Sequence, residues 1–141
     1  MTGITGPTGP TVTANNLMGI TSGAGNVGLA AGQIIPVPTI TEQNGTAITP
    51  GPGGTFNLAA NQTYYVDYRT NANSPGTVAA ALTLNGAGIA GTNAVATSNT
   101  ITQVLAGSAI FTTAVASNLA LISGTAASNF GSTSVTIIKL A

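Results

Sequence analysis

Thr63-Tyr64-Tyr65-Val66-Asp67-Tyr68-Arg69 alternates without interruption, so an extended strand through it carries Tyr64, Val66 and Tyr68 on one face and Tyr65, Asp67 and Arg69 on the other. The first set faces a core. On the second, Asp67 and Arg69 stand two residues apart on the same side, where an intrachain ion pair is expected. The same grammar recurs outward from this stretch. Short apolar or Thr-rich runs are closed by Gly, Asn or Pro at the spacing of an all-β sandwich or barrel. Strands are expected at roughly 14–20, 27–30, 33–38, 45–49, 54–58, 62–70, 77–84, 87–91, 99–105, 108–115, 118–124 and 133–140.

Asn85-Gly86, between Leu82-Thr83-Leu84 and Ala87-Gly88-Ile89, has the residues of a type I′ hairpin turn, in which both central positions need positive φ. Ile35-Pro36-Val37-Pro38 reads as an edge segment, because proline cannot donate to a ladder, and Thr49-Pro50-Gly51-Pro52-Gly53-Gly54 as a surface loop. Near the end, Val135-Thr136-Ile137-Ile138-Lys139-Leu140 is apolar on both faces until Lys139, the pattern of a strand covered on both sides. One cover is expected to be another copy of the chain, with Val135, Ile137, Ile138 and Leu140 in a trimer interface.

The 141 residues suffice for one domain with a real core, since 43% are hydrophobic. Only 3% are charged, against roughly 25% in an ordinary soluble domain. They are Glu42, Asp67, Arg69 and Lys139. A net charge of zero offers no repulsion between copies and favours association. Two cations far apart in sequence cannot neutralise a run of phosphates, which excludes nucleic acid as a partner. No metal centre or cofactor site is expected, for there is no His or Cys and the carboxylates number two. Catalysis lacks its groups as well: abundant Ser and Thr have no evident base, and one acid already stands beside an arginine. The apolar runs are too short to cross a bilayer, so no membrane insertion is expected. Met1-Thr2-Gly3-Ile4 shows neither the basic nor the apolar region of a secretory signal.

Gly23-Ala24-Gly25-Asn26-Val27-Gly28 matches a dinucleotide-binding fingerprint letter for letter, but no acidic residue follows at the required distance, and it reads as a glycine-rich β-turn. Asn44-Gly45-Thr46 and Asn61-Gln62-Thr63 match the N-glycosylation pattern as chance permits in so Asn- and Thr-rich a chain. Tyr64, Tyr65 and Tyr68 could stack on sugars, although strand tyrosines are more often core.

The beginning is of another kind. Gly3-Ile4-Thr5, Gly6-Pro7-Thr8 and Gly9-Pro10-Thr11 are three consecutive collagen-type triplets. A collagen helix needs three chains because only glycine fits at its axis, but three triplets cannot hold a trimer alone. Either the remainder trimerises or the arm finds another partner. The division expected is a Gly-X-Y arm at 1–13 and a folded domain at 14–141.

Ala60-Asn61-Gln62-Thr63-Tyr64-Tyr65-Val66-Asp67-Tyr68, followed by Val78-Ala79-Ala80-Ala81-Leu82-Thr83-Leu84-Asn85-Gly86, resembles the tyrosine-rich strand and its successor in the trimeric jelly-roll domains of the tumour necrosis factor and complement type. With the Gly-Pro-Thr tract before it and Ser134-Val135-Thr136-Ile137-Ile138-Lys139-Leu140-Ala141 behind it, the order looks like the collagen-like glycoproteins of the Bacillus spore exosporium. The resemblance implies a homotrimeric jelly-roll sandwich, a location on the spore surface, other exosporium proteins as partners, and O-linked sugars on Thr5, Thr8 and Thr11. A structural role follows as the expectation. Trimers would polymerise as the arm residues Gly3, Ile4, Gly6, Pro7, Gly9 and Pro10 dock on the next trimer, a heterologous contact that repeats without closing. The alternative is an adhesin or lectin-like head presenting loops such as Asn71 to Gly76 to surface glycans or host proteins. A phage or viral fibre head shares the same physics.

Overall fold

The computed structural model describes residues 15–22, 26–99, 102–125 and 128–141. The arm residues Gly3, Ile4, Gly6, Pro7, Gly9 and Pro10, and Thr5, Thr8 and Thr11 among them, lie outside the described residues. The strands are β1 (Asn16–Thr21), β2 (Asn26–Leu29), β3 (Thr39–Asn44), β4 (Ile48–Pro50), β5 (Phe56–Leu58), β6 (Gln62–Ala72), β7 (Gly76–Leu84), β8 (Ala87–Gly88), β9 (Ala94–Ser98), β10 (Gln103–Thr113), β11 (Ser117–Ser123) and β12 (Ser128–Lys139). They form two antiparallel sheets. The first has the order β10-β6-β12-β1-β3, with β2 also on β12, and the second the order β4-β5-β11-β7-β8, with β9 also on β7. From β5 to β7 and from β9 to β12 the chain changes sheet at every connection, which makes the sandwich a jelly roll.

Period-two alternation places the core. Tyr64, Val66 and Tyr68 of β6, Val135 and Ile137 of β12 and Leu17 of β1 point from the first sheet toward Leu82 of β7, Leu119 and Leu121 of β11 and Phe56 of β5. Each such side chain, fully removed from water, contributes about 1.5–3 kcal/mol. The two tyrosines tie the layers together. Tyr68 Oη lies 2.9 Å from the Ala80 carbonyl and 2.7 Å from that of Thr92. Tyr64 Oη sits 3.1 Å from the Ala47 carbonyl and 3.2 Å from that of Ala59.

Several expectations need correction. The segment expected as a strand at 33–38 makes only one bridge, Ile34 to Ile122, because Pro36 and Pro38 have no N–H to give. It nevertheless flanks β11, with Ile35 N donating to the Leu121 carbonyl at 2.8 Å, and its alternate residues Ile35 and Val37 are wholly buried. The strand expected at 45–49 is for the most part the turn between β3 and β4, where Gly45 has φ 72°. The two strands expected at 99–105 and 108–115 are the single β10, which runs straight through Gly107. A Cβ there would approach Tyr68 Cε1 to 2.8 Å, so this glycine makes room for a ring and ends nothing. Asn85 (φ 50°) and Gly86 (φ 82°) do form the two-residue turn, joining Leu84 to Ala87.

Both ends of the domain meet. Lys139 N donates to the Asn15 carbonyl at 3.0 Å and Thr63 N to the Ala141 carbonyl at 2.8 Å. The chain therefore enters β1 at the end of the sandwich where β12 finishes. Asn73 and Asn129, joined by a backbone hydrogen bond of 2.7 Å, mark the opposite end, one length of β6 away. Over the 11 residues of β6 that distance is about 35 Å.

Candidate functional site

The outer face of the first sheet is where the described surface departs from the ordinary. Ile110 on β10, Tyr65 on β6 and Ile138 on β12 stand directly opposite one another across three adjacent strands. Ile110 is 65% exposed, Val104 51%, Leu140 45% and Met18 39%, all on this face or its end, while Tyr65, Ile138 and Ile20 are half-buried. An exposed apolar row of this kind on a sheet face points to an association surface. The alternation that buries Tyr64 and Val66 is also what delivers Tyr65 and Asp67 outward.

Asp67 and Arg69 lie in the middle of it. Register sets Asp67 between Ser108 and Thr136, and Arg69 between Ala106 and Ser134, so every direct neighbour across the strands is neutral. The expected intrachain ion pair is not formed: no contact within 4.0 Å joins the two groups, and no ion pair occurs among the described residues. Spacing of two along a strand leaves the side chains side by side and free to extend into solvent.

Beside Arg69 the face is hollowed into a concavity of about 350 Å³ lined by Ile20, Thr21, Ser22, Arg69, Asn71, Ser132, Thr133 and Ser134. A second hollow, of about 310 Å³, lies on the other sheet between Gly32, Ile34, Thr83, Gly86, Asn118, Ala120 and Ile122. Neither gathers groups that could do acid–base chemistry. Among the described residues no three His, Cys, Asp or Glu side chains come together as metal ligands, and no helix is long and apolar enough to cross a membrane.

The four residues expected at a trimer interface divide. Val135 and Ile137 have no accessible surface in the single chain, so they are core residues with nothing left to bury against a second copy. This corrects their placement. Ile138 and Leu140 do reach the surface, Ile138 on the same face as Ile110 and Tyr65. Of the tyrosines read as a possible sugar platform, Tyr64 and Tyr68 are buried and only Tyr65 is presented. Burial pushes the Tyr68 hydroxyl up to about 12 and raises that of Tyr64 as well. The residues that sequence reasoning passed over are Ile110, Val104 and Met18. Alternation within β10 contains the signal for Ile110, but the break expected at 106–107 hides the continuous strand that carries it.

The glycine-rich match at 23–28 falls partly outside the described residues, and Asn26 to Leu29 are extended as β2. Of the two N-glycosylation matches, Asn44 donates to Asn16 Oδ1 and Glu42 Oε1, and Asn61 occupies a turn at φ 55°.

Neither a protein-family model nor a curated protein sequence matches the chain. Solved structures do. The globular domain of zebrafish complement 1qA protein aligns with a TM-score of 0.72 at 9% identity, over 90% of this chain and 98% of that one. Murine APRIL aligns at 0.68 with 9% identity, over 89% and 98% of the two chains. The PRD1 vertex protein P5 aligns at 0.59 with 18% identity, over 92% and 99%. At such identities the likeness is one of architecture, and the fold of this chain is the jelly-roll sandwich of the tumour necrosis factor and complement 1q type.

Proposed function

We propose that the chain is a structural subunit of a spore-surface filament, which trimerises through its jelly roll and links trimers end to end through its N-terminal arm. The observation that carries the trimer is the row Ile110, Tyr65 and Ile138, an apolar strip on a sheet whose opposite side is already filled. Three copies packed around an axis would cover it, and each Å² removed from water contributes about 25 cal/mol. The architecture shared with complement 1qA and APRIL supports the same reading, as does the likeness to the PRD1 vertex protein P5.

Linkage is supported by direction. Asn15 enters the domain beside Lys139 at one end, and the loops around Asn73 and Asn129 close the other. An arm leaving the first end that lodges at the second end of the next trimer repeats without closing, which produces a fibre. The spore surface as location and other exosporium proteins as partners rest on the order of motifs in the sequence, as does O-glycosylation of Thr5, Thr8 and Thr11. Purified full-length chain should form fibres in negative-stain micrographs, and a variant lacking residues 2–10 should stop at single trimers. Unchanged fibres from that variant would refute the arm as linker, and antibody labelling of intact spores tests the location.

A further inference from the structure

Half of the charge in the chain lies two residues apart on a sheet face that also exposes an apolar row, and it is unpaired there. We propose that Asp67 and Arg69 pair between copies: in the assembled trimer the Asp67 carboxylate of each chain meets the Arg69 guanidinium of the next. This rests on the trimer proposed above and adds an electrostatic contact between its copies.

Geometry within the chain supports the pairing. Asp67 follows Tyr65 along the outward face of β6 and Arg69 follows Asp67, so the apolar row, the acid and the base form successive layers about 6.6 Å apart. Three copies arranged with this face toward a common axis stack a ring of three carboxylates beside a ring of three guanidinium groups. Each ring repels itself, and the neighbouring ring of opposite sign removes that cost. One layer of spacing is within the reach of an arginine side chain, and the guanidinium fork suits a carboxylate in two-point contact.

Competing partners on the same face are absent or distant among the described residues. Ser108 and Thr136 beside Asp67, and Ala106 and Ser134 beside Arg69, carry no charge. Glu42 belongs to the edge strand β3, three strands from β6 through β12 and β1, or about 14 Å. Lys139 falls on the inward alternation, in register with the buried Tyr64. A copy of the chain is thus the occupant whose charges fit.

The test compares wild type with D67R, R69D, the exchanged double variant D67R/R69D and the neutral pair D67N/R69Q, by light scattering behind size exclusion over a dilution series, with circular dichroism to confirm that each is folded. Each single inversion should raise the concentration at which trimers dissociate at least tenfold, the exchange should restore most of the loss, and D67R mixed with R69D during refolding should yield mixed trimers. Wild-type trimers should loosen as salt rises, and those of D67N/R69Q should be insensitive to it. Single inversions that trimerise as tightly as wild type, or an exchange no better than either inversion, would overturn the pairing and leave the trimer standing. A wild type that stays monomeric throughout would overturn both.

Discussion

The Tyr68 hydroxyl on β6 lies 2.9 Å from the carbonyl oxygen of Ala80 on β7, so an interior strand of one sheet is hydrogen-bonded through the core to the backbone of the other. The Thr92 carbonyl, 2.7 Å away, shares the same proton. Two backbone carbonyls in the dry interior therefore accept from one side chain. Tyr68→Phe keeps the ring but removes both contacts, and it should cost about 1–3 kcal/mol in urea unfolding with an unchanged slope.

Stability should be flat around neutrality and fall in strong alkali. The ordinary tyrosine value is 10.0, and burial pushes Tyr68 up to about 12. Below pH 10 folded and unfolded chains both hold the proton, and the contribution is complete. As pH rises from there, the unfolded chain releases its proton while the folded chain keeps it, so stability drops until about 12. Thermal midpoints measured across this interval should decline in wild type and decline less in Tyr68→Phe; Tyr64, raised in the same direction, accounts for part of the remainder.

Gly107 is the partner of that tyrosine on β10. Its Cβ, if it had one, would lie 2.8 Å from Tyr68 Cε1 and 2.9 Å from the Thr92 carbonyl oxygen, and neither the ring nor the backbone can yield easily. Gly107→Ala should destabilise by about 1–3 kcal/mol despite replacing the poorer strand former. A chemical-denaturation midpoint equal to that of wild type would show that the core relaxes around it.

Ile137 and Ile110 separate folding from assembly. Ile137 has no accessible surface and Ile110 is 65% exposed. Ile137→Asp buries a charge without a partner and should abolish the folded domain, seen as loss of the cooperative melting transition. Ile110→Asp should leave the circular dichroism spectrum intact and prevent trimerisation, read by light scattering. Intact trimers of Ile110→Asp would remove the first sheet's face from the interface.

The sandwich was legible because its strands alternate and its turns use residues with a conformational reason to be there. Tyr64, Val66 and Tyr68 were identifiable as core from β6 alone, and Asn85-Gly86 as a turn from the positive φ that both positions require. Reading failed where one residue type serves two purposes. Gly107 breaks most strands, but here it accommodates a ring supplied by a distant segment. Pro36 and Pro38 deny a ladder to a stretch that is still buried at Ile35 and Val37. Nor could Asp67 and Arg69 be judged by spacing, since proximity along a strand does not say whether two extended side chains turn toward each other.

By itself the amino-acid order determined a neutral all-β domain behind three collagen-type triplets, and it determined which residues share a side of each strand. Where both sides are apolar, only the tertiary structure decided which one is inside. In Val135-Thr136-Ile137-Ile138 both sides are apolar enough to be buried, and a period of two names the partners on a face without saying which face the second sheet will cover. Packing chose Val135 and Ile137 for the core, and so left Ile138 with Tyr65 and Ile110 as the surface still to be covered.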